Sequence, residues 1–286
     1  MDRLLYATPT GGHPHVMYCA SVRALELACR SFGVRGAGDF CYVQAPVQMA
    51  RSKIADIALT KGYDYVVMHD DDMALHPGEE GGNVGNPLDA WHELMQQRPD
   101  VGMIGAVYMR ERPQMPNVAV PHPKYPEELC HATHGYPAEP FEVGAIGTGF
   151  VMIRVSAMAD LADAEFEDGA PPMFRFPMTE TRWGMISETG EDYDFCRRLR
   201  GCGRKVLADP RVRTVHIKDR GHLVYDYRAW EAACASPGSR VLAEIRSNCP
   251  ATLKFVDLPN GLKIIDHVGE KESQARSWRE RLRKAA

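Results

Sequence analysis

No apolar stretch in this sequence approaches the ~20 residues that span a bilayer. The opening MDRLLYATPT holds too short an apolar run for a secretory signal. Both absences set the expectation of a protein that does not work in a membrane. CxxC pairs are also missing. The eight cysteines, Cys19, Cys29, Cys41, Cys130, Cys196, Cys202, Cys234 and Cys249, are scattered, and several fall inside apolar periodic segments. They read as reduced, mostly buried thiols of a cytoplasmic protein. The stretch CHATH brings His131 and His134 into consideration as zinc ligands, but no second ligand pair has metal-site spacing. Charge of one sign is scarce too: a formal net charge of -4 does not describe a general polyanion binder, although it allows a local basic patch. There is no internal repeat and no low-complexity segment. What is present is a chain of 286 residues, 44% hydrophobic and 25% charged, long enough for one large domain or a domain with an elaboration.

The first half alternates strand and helix. RLLYATPT reads as a strand ending near Pro9 and Thr10. From Val16 to Phe32, Val16, Ala20, Ala24 and Leu27 recur at helical spacing, with Gly33 as a stop. DFCYVQAP is a second strand, and QMARSKIADIALTKG a helix with Ile54, Ile57 and Ala58 on one face and Gly62 as its stop. Tyr65 to Met68 form a buried strand leading into Asp70, Asp71 and Asp72. A third helix has Asn86 as N-cap and Pro87 at its first position. VGMIGAVYM is the next strand. This order implies a parallel α/β sheet with right-handed crossovers, in which ligands bind at the carboxyl ends of the strands. The second half is less regular. Residues 111–142 and 165–186 read as loops, VGAIGTGFVMIR as a strand with a glycine kink, EDYDFCRRLRGCGRKVLADP as a helix, a Gly203 stop and a strand, and SQARSWRERLRKAA as a surface helix.

Three adjacent carboxylates behind a buried strand repel one another unless they lie in water or hold a cation. Carboxylates two apart on such a loop can grip Mg²⁺ or Mn²⁺, which take oxygen ligands and leave positions open for phosphates. A solvated acidic turn is the plain alternative. In TGEDYDFCRRL, Asp192 lies in the first helical turn, where the dipole favours an ionised carboxylate able to accept a proton from a hydroxyl. Thr189 and Asp192 read equally as a capping box. His216 is a strand-end histidine, a ligand or a satisfied core residue. Gly147 and Gly149 around Thr148 permit close backbone approach to a ligand, or form a simple bulge. Arg51 and Lys53 open the second helix beside the sheet's carboxyl edge, where arginine suits phosphate oxygens. Trp183 could stack on a sugar or base, or pin its loop.

The ordered set, a strand ending in Asp-x-Asp, then IGAVYM, GTGFVMIR, GEDYDFCRRLRGCGRKVLADP and a strand-end histidine, resembles the GT-A glycosyltransferases over about residues 1–220. The nearest look is that of family-2-like enzymes of the small, single-domain kind found in phage genomes. The resemblance implies an α/β, Rossmann-like GT-A fold with a mixed, mostly parallel sheet flanked by helices. It divides residues 1–220 into a nucleotide-binding half, about 1–110, and an acceptor half, about 111–220, with 221–286 as a helical extension. It implies Asp70, Asp72 and His216 as ligands of Mn²⁺ or Mg²⁺, with Asp72 direct. Asp192 becomes the catalytic base of an inverting transfer, with Glu188 and Glu191 as competitors. Pro9, Thr10, Arg51, Asp70 and Asp71 would hold the nucleotide-sugar donor, a UDP-sugar, and Gly147, Thr148 and Gly149 would flank the sugar. The acceptor is a hydroxyl, with a hydroxymethylated pyrimidine in DNA as the leading expectation, since CRRLRGCGRK and RSWRERLRKAA could touch phosphates. A glycan, protein or small-molecule acceptor, a Mg²⁺-dependent nucleotidyltransferase and a non-catalytic glycan- or nucleic-acid-binding module are the other readings.

Overall fold

The computed structural model describes residues 2–10, 14–28, 39–75, 85–110, 115–165, 172–180, 186–218, 222–223 and 254–266. The first half follows the strand–helix alternation: β1 (Leu4–Thr10), α1 (Val16–Ala28), β2 (Asp39–Gln44), α2 (Val47–Thr60), β3 (Tyr65–His69), the short β4 (Met73–Leu75), α3 (Pro87–Gln97) and β5 (Val101–Val107). Local chemistry explains the boundaries. The chain turns after α2 at Gly62, whose φ of 66° is open to glycine at no steric cost. Asn86 caps α3 by accepting the Leu88 N–H at 2.8 Å, with Pro87 at the first helical position. In α1 the phase differs from the expected face: Val16 and Ala20 are exposed, and Tyr18, Val22 and Leu25 are buried. The bulkier residues at i, i+4 and i+7 win the core. Gly33 lies outside the described residues.

β6 (Met109–Arg110) pairs with β7 (Met115–Pro116), and residues 115–146, expected as loop up to 142, instead form β7, β8 (Val118–Pro121), β9 (Leu129–His134), β10 (Phe141–Val143) and β11 (Ala145–Ile146). Prolines at the ends of β7 and β8 keep these strands too short to show a period of two. Then follow β12 (Phe150–Arg154), α4 (Val155–Glu165), the hairpin β13 (Met178–Glu180) and β14 (Ile186–Glu188), α5 (Glu191–Gly201), β15 (Lys205–Lys218), β16 (His222–Leu223), β17 (Lys254–Asp257) and β18 (Lys263–Asp266). Gly203, φ 78°, makes the turn between α5 and β15. The hairpin β17–β18 stands where a helical extension was expected, and the surface helix over the last residues lies outside the described ones.

The main sheet runs β10-β15-β5-β12-β3-β1-β2. β1, β2, β3, β5 and β15 share one direction, and β12 and β10 oppose them. This is the mixed, mostly parallel sheet flanked by helices that the resemblance implied, with β12 and β10 as the antiparallel members that the strand–helix alternation did not foresee. One core lies between the sheet and α2, α4 and α5, including Ile54, Ala58, Phe174, Phe195 and Leu199; the other lies under α1 and α3, around Tyr18, Trp91 and Phe150. A second sheet, β11-β8-β9-β18-β17, packs into the first core through Val118, Ala132 and Ile264. No helix among the described residues is long and apolar enough to cross a membrane.

Of the described cysteines, Cys130 and Cys196 are buried, Cys41 and Cys202 are partly so, and Cys19 is exposed. Burial is therefore less general than expected. His131 and His134 lie on β9, where His131 Nδ1 meets the Tyr193 hydroxyl at 3.3 Å and His134 Nδ1 the Thr133 hydroxyl at 2.9 Å, and neither belongs to a group of three metal-ligating side chains among the described residues. Cys130 instead lies beside His122 and Asp266, with one ligand atom of each within 4.8 Å of the others. His122 Nδ1 accepts the Lys124 and Tyr125 N–H groups, both at 3.2 Å. A neutral ring then carries its proton on Nε2, facing Asp266 at 3.5 Å, which ties β18 to the end of β8 and leaves no lone pair for a metal.

Candidate functional site

The carboxyl ends of β1, β3 and β5 meet at one edge of the sheet, and each contributes. Asp70, Asp71 and Asp72 leave β3 in a turn closed by the Met73 N–H to the Asp70 carbonyl at 3.0 Å. Each aspartate has a different job. Asp71 accepts a hydrogen bond from the Thr10 hydroxyl at the end of β1, and its carbonyl accepts the His15 N–H at 3.1 Å. Pro9, beside Thr10, is buried inside β1.

Asp70 accepts both its carboxylate hydrogen bonds from Arg51, at 3.0 and 2.8 Å. The same guanidinium reaches Glu191 at 2.5 Å. Arg51 is only 4% exposed. Burial opposes its charge, and Asp70 and Glu191 more than offset that, so it stays protonated. Burial raises the Asp70 and Glu191 carboxyls, with Arg51 pulling both back. Arg51 is thus committed to carboxylates rather than turned toward a diphosphate, and Asp70 is held by Arg51 rather than presented as a free metal ligand. Lys53 is on the exposed face of α2.

Asp72 meets His216. The register of β15 shifts between Asp209 and Arg213, and past that bulge the strand pairs with β4. The Ile217 N–H then bonds the Asp72 carbonyl at 2.7 Å, and His216 Nε2 lies 3.2 Å from Asp72 Oδ2. His216 Nδ1 lies 3.1 Å from the Met109 carbonyl, which can only accept, so Nδ1 carries the proton. In the neutral ring the Nε2 lone pair then faces a carboxylate. Two acceptors at that distance call for a cation: a proton or a metal ion. This donor set, a tautomer fixed by a backbone carbonyl beside a carboxylate, fits Mn²⁺ better than Mg²⁺, which prefers oxygen ligands.

The third part is the amino end of α5. Phe174 stacks on Phe195 with centroids 4.3 Å apart, and its backbone N–H donates to Ser52 Oγ at 3.0 Å. This lock sets α5 against α2 so that Glu191 reaches Arg51. The N-cap is Gly190, with no side-chain cap, so the expected capping box is not formed. Asp192 accepts the Tyr193 N–H at 2.9 Å. Burial raises its carboxyl, opposed by Arg51 and Arg110. Of the competing carboxylates, Glu191 is tied to Arg51; the side chain of Glu188, like Trp183, lies outside the described residues.

The Gly147–Thr148–Gly149 loop joins the site through the Asp70 N–H, which donates to the Gly149 carbonyl at 2.8 Å. Its glycines have a tertiary reason: a Cβ on Gly147 would collide with the Tyr108 hydroxyl, and one on Gly149 would press on the Tyr108 ring at 3.0 Å. Tyr108, Arg110 and Asn117 are residues that the sequence reading missed. The first two follow β5 at the same carboxyl edge, so the strand-end rule could have found them. Asn117 bonds the Tyr108 N–H through Oδ1 at 3.0 Å and gave no local signal.

Among the described residues, four of the five cations in the basic stretch expected to face phosphates, all but Arg200, make ion pairs. Arg197 and Arg198 bond the buried Asp194, both at 2.7 Å; Arg204 bonds Asp160, and Lys205 lies 3.2 Å from Asp100.

No protein-family model and no curated protein matches the chain. Among solved structures it is similar to A197 from STIV, at 15% identity over 78% of this chain and 93% of that one, with a TM-score of 0.46. It is similar to GalNAc-T7 with UDP, GalNAc and Mn²⁺, at 12% identity and a TM-score of 0.46, over 76% of this chain and 44% of that one. A glycosyltransferase involved in glycosylation of the major capsid of PBCV-1 is similar at 14% identity over 55% of this chain and 62% of that one, with a TM-score of 0.29.

Proposed function

We propose that this protein transfers a glycosyl group from a nucleoside-diphosphate sugar, a UDP-sugar, to a hydroxyl acceptor with inversion. The observation that carries the reading is His216 Nε2 facing Asp72 at the edge where Asp70 and Asp192 also meet Arg51. Asp72 and His216 would hold Mn²⁺ or Mg²⁺, which when bound supplies charge neutralisation for a departing diphosphate.

The protein's own residues do the rest. Thr10 and Asp71, beside Pro9, line the nucleotide end. Arg51 fixes Asp70 and Glu191, so the carboxylates keep one geometry through the reaction. Asp192 accepts the acceptor's hydroxyl proton as that oxygen forms its bond to the anomeric carbon and the bond from that carbon to the diphosphate oxygen breaks. The raised Asp192 carboxyl suits a base, because a carboxylate disfavoured by burial takes a proton more readily.

The test is nucleoside diphosphate release from a panel of nucleotide sugars with Mn²⁺, with and without hydroxymethylcytosine-containing DNA. Wild type releases the diphosphate, EDTA abolishes release, and Asp72→Asn lowers it about 100-fold or more. Full activity in EDTA would overturn the metal reading. Stimulation by DNA would identify the acceptor; its absence would direct the acceptor search to glycans, proteins and small molecules. Pyrophosphate as product would instead mark a nucleotidyltransferase.

A further inference from the structure

Tyr108 follows β5 directly, and protein fixes it on several sides. Its N–H bonds Asn117 Oδ1 and its carbonyl accepts the Asn117 N–H, both at 3.0 Å. Its ring meets His216 edge-on, with centroids 5.6 Å apart. Its hydroxyl accepts the Gly149 N–H at 3.2 Å, and only 7% of the residue is exposed. Yet the phenolic proton has no acceptor among the described residues. An ordinary phenol, with a pKa of about 10, keeps its proton at neutral pH. A buried O–H without an acceptor costs free energy unless a ligand takes the bond. The same loop repeats the pattern: Thr148 Oγ1 is buried with no partner among the described residues.

The phenol binds Gly149, whose carbonyl takes the Asp70 N–H at 2.8 Å, and its ring meets His216, which faces Asp72. In the glycosyl-transfer reading the transferred sugar lies beside these groups. A neutral hydroxyl donor suits a neutral polyol. Building on the glycosyl-transfer reading, we infer that Tyr108 donates a hydrogen bond to one hydroxyl of the transferred sugar and so selects which sugar is used. A site that hydrogen-bonds a ligand hydroxyl discriminates against analogues lacking it, because its own buried group is then left unpaired.

The experiment is calorimetric titration, with Mn²⁺, of UDP, UDP-glucose, UDP-galactose and UDP-N-acetylglucosamine, and of the monodeoxy forms of whichever hexose binds best. In wild type that UDP-hexose binds more tightly than UDP, and removal of one hydroxyl weakens it about tenfold. Tyr108→Phe weakens the parent hexose by the same factor, loses nothing further on that deoxy analogue, and leaves UDP binding unchanged. Equal weakening of UDP and UDP-hexose, or additive losses, would overturn the inference, because the phenol would then serve only to hold the Gly149 loop. Should Tyr108→Phe not fold, 3-fluorotyrosine at 108 decides: a stronger donor and weaker acceptor, it tightens UDP-hexose binding if the phenol donates, and a loss or no change overturns the idea. Wild type binding UDP with no gain from any hexose overturns this inference alone. Wild type binding neither UDP nor any UDP-hexose overturns the donor reading beneath it.

Discussion

Arg51 shows how one side chain sets a site. Its guanidinium satisfies Asp70 and Glu191, residues on two elements, and replacing it leaves two partly buried carboxylates facing each other without a cation. Arg51→Met is therefore expected to destabilise the fold by roughly 3–5 kcal/mol, read by urea unfolding. A change under about 1 kcal/mol would show that water already screens the pair. At Asp192 the expectation concerns rate. Asp192→Asn lowers kcat by about 10²- to 10⁴-fold with little change in KM for the donor. The wild-type rate needs the ionised carboxylate, which is present above its folded pKa. Since burial raises that pKa, the acid limb of the kcat–pH profile lies above the ordinary carboxylate range. A limb within that range would remove Asp192 from the role.

β3 and the Gly-Thr-Gly loop act as units. His69, the last residue of β3, is 0% exposed, bonds the Met73 carbonyl through Nε2 at 3.0 Å, and meets the Tyr6 hydroxyl at Nδ1. Burial lowers its pKa from 6.5 to about 3. The unfolded chain takes up this proton below about 6.5, while the folded chain resists it to about 3. The stability contributed by the neutral ring is thus complete above 6.5 and is lost as pH falls through that window, by about 5 kcal/mol in all. His69→Gln, which can keep one donor and one acceptor, should flatten the fall of Tm between pH 6.5 and 4; an unchanged slope would assign acid sensitivity elsewhere. In the loop, Gly147→Ala drives a methyl against Tyr108, which holds the Gly149 N–H and meets His216. That substitution is expected to cost about 1–3 kcal/mol and to weaken Mn²⁺ binding together with stability. A weaker fold with unchanged Mn²⁺ affinity would uncouple the loop from the metal site.

At the scale of the whole molecule, the hairpin β17–β18 completes a second sheet by pairing Ile264 with Ala132 and Lys263 with His134. Leu262 and Ile264 are buried in the core shared with α2 and α5. The segment is therefore part of the folded body. Ile264→Ala should cost about 2–5 kcal/mol, and a chain cut before Lys254 should melt earlier and aggregate through the bared edge of β9. Unaltered melting of the truncated chain would return this region to the status of an appendage.

The sequence by itself determined the strand–helix order of the first half, the Asn86–Pro87 start of α3, the turns at Gly62 and Gly203, and the aspartates at a strand's carboxyl end. Each of these depends on neighbours within a few residues: a buried run, a cap, a positive φ. The resemblance carried by the order of its motifs also implied Asp70, Asp72, His216 and Asp192 as one candidate set. Only the tertiary structure decided their partners. Arg51 meets Glu191 across 140 residues and His216 meets Asp72 across 144, and no local pattern encodes which charge a buried guanidinium will find. The second sheet was invisible for the same reason: its strands are too short to show a period and become strands only by pairing with one another. The glycines around Thr148 were legible as permissive backbone, but their reason, the Tyr108 side chain packed against them, exists only once β5 and β12 lie side by side.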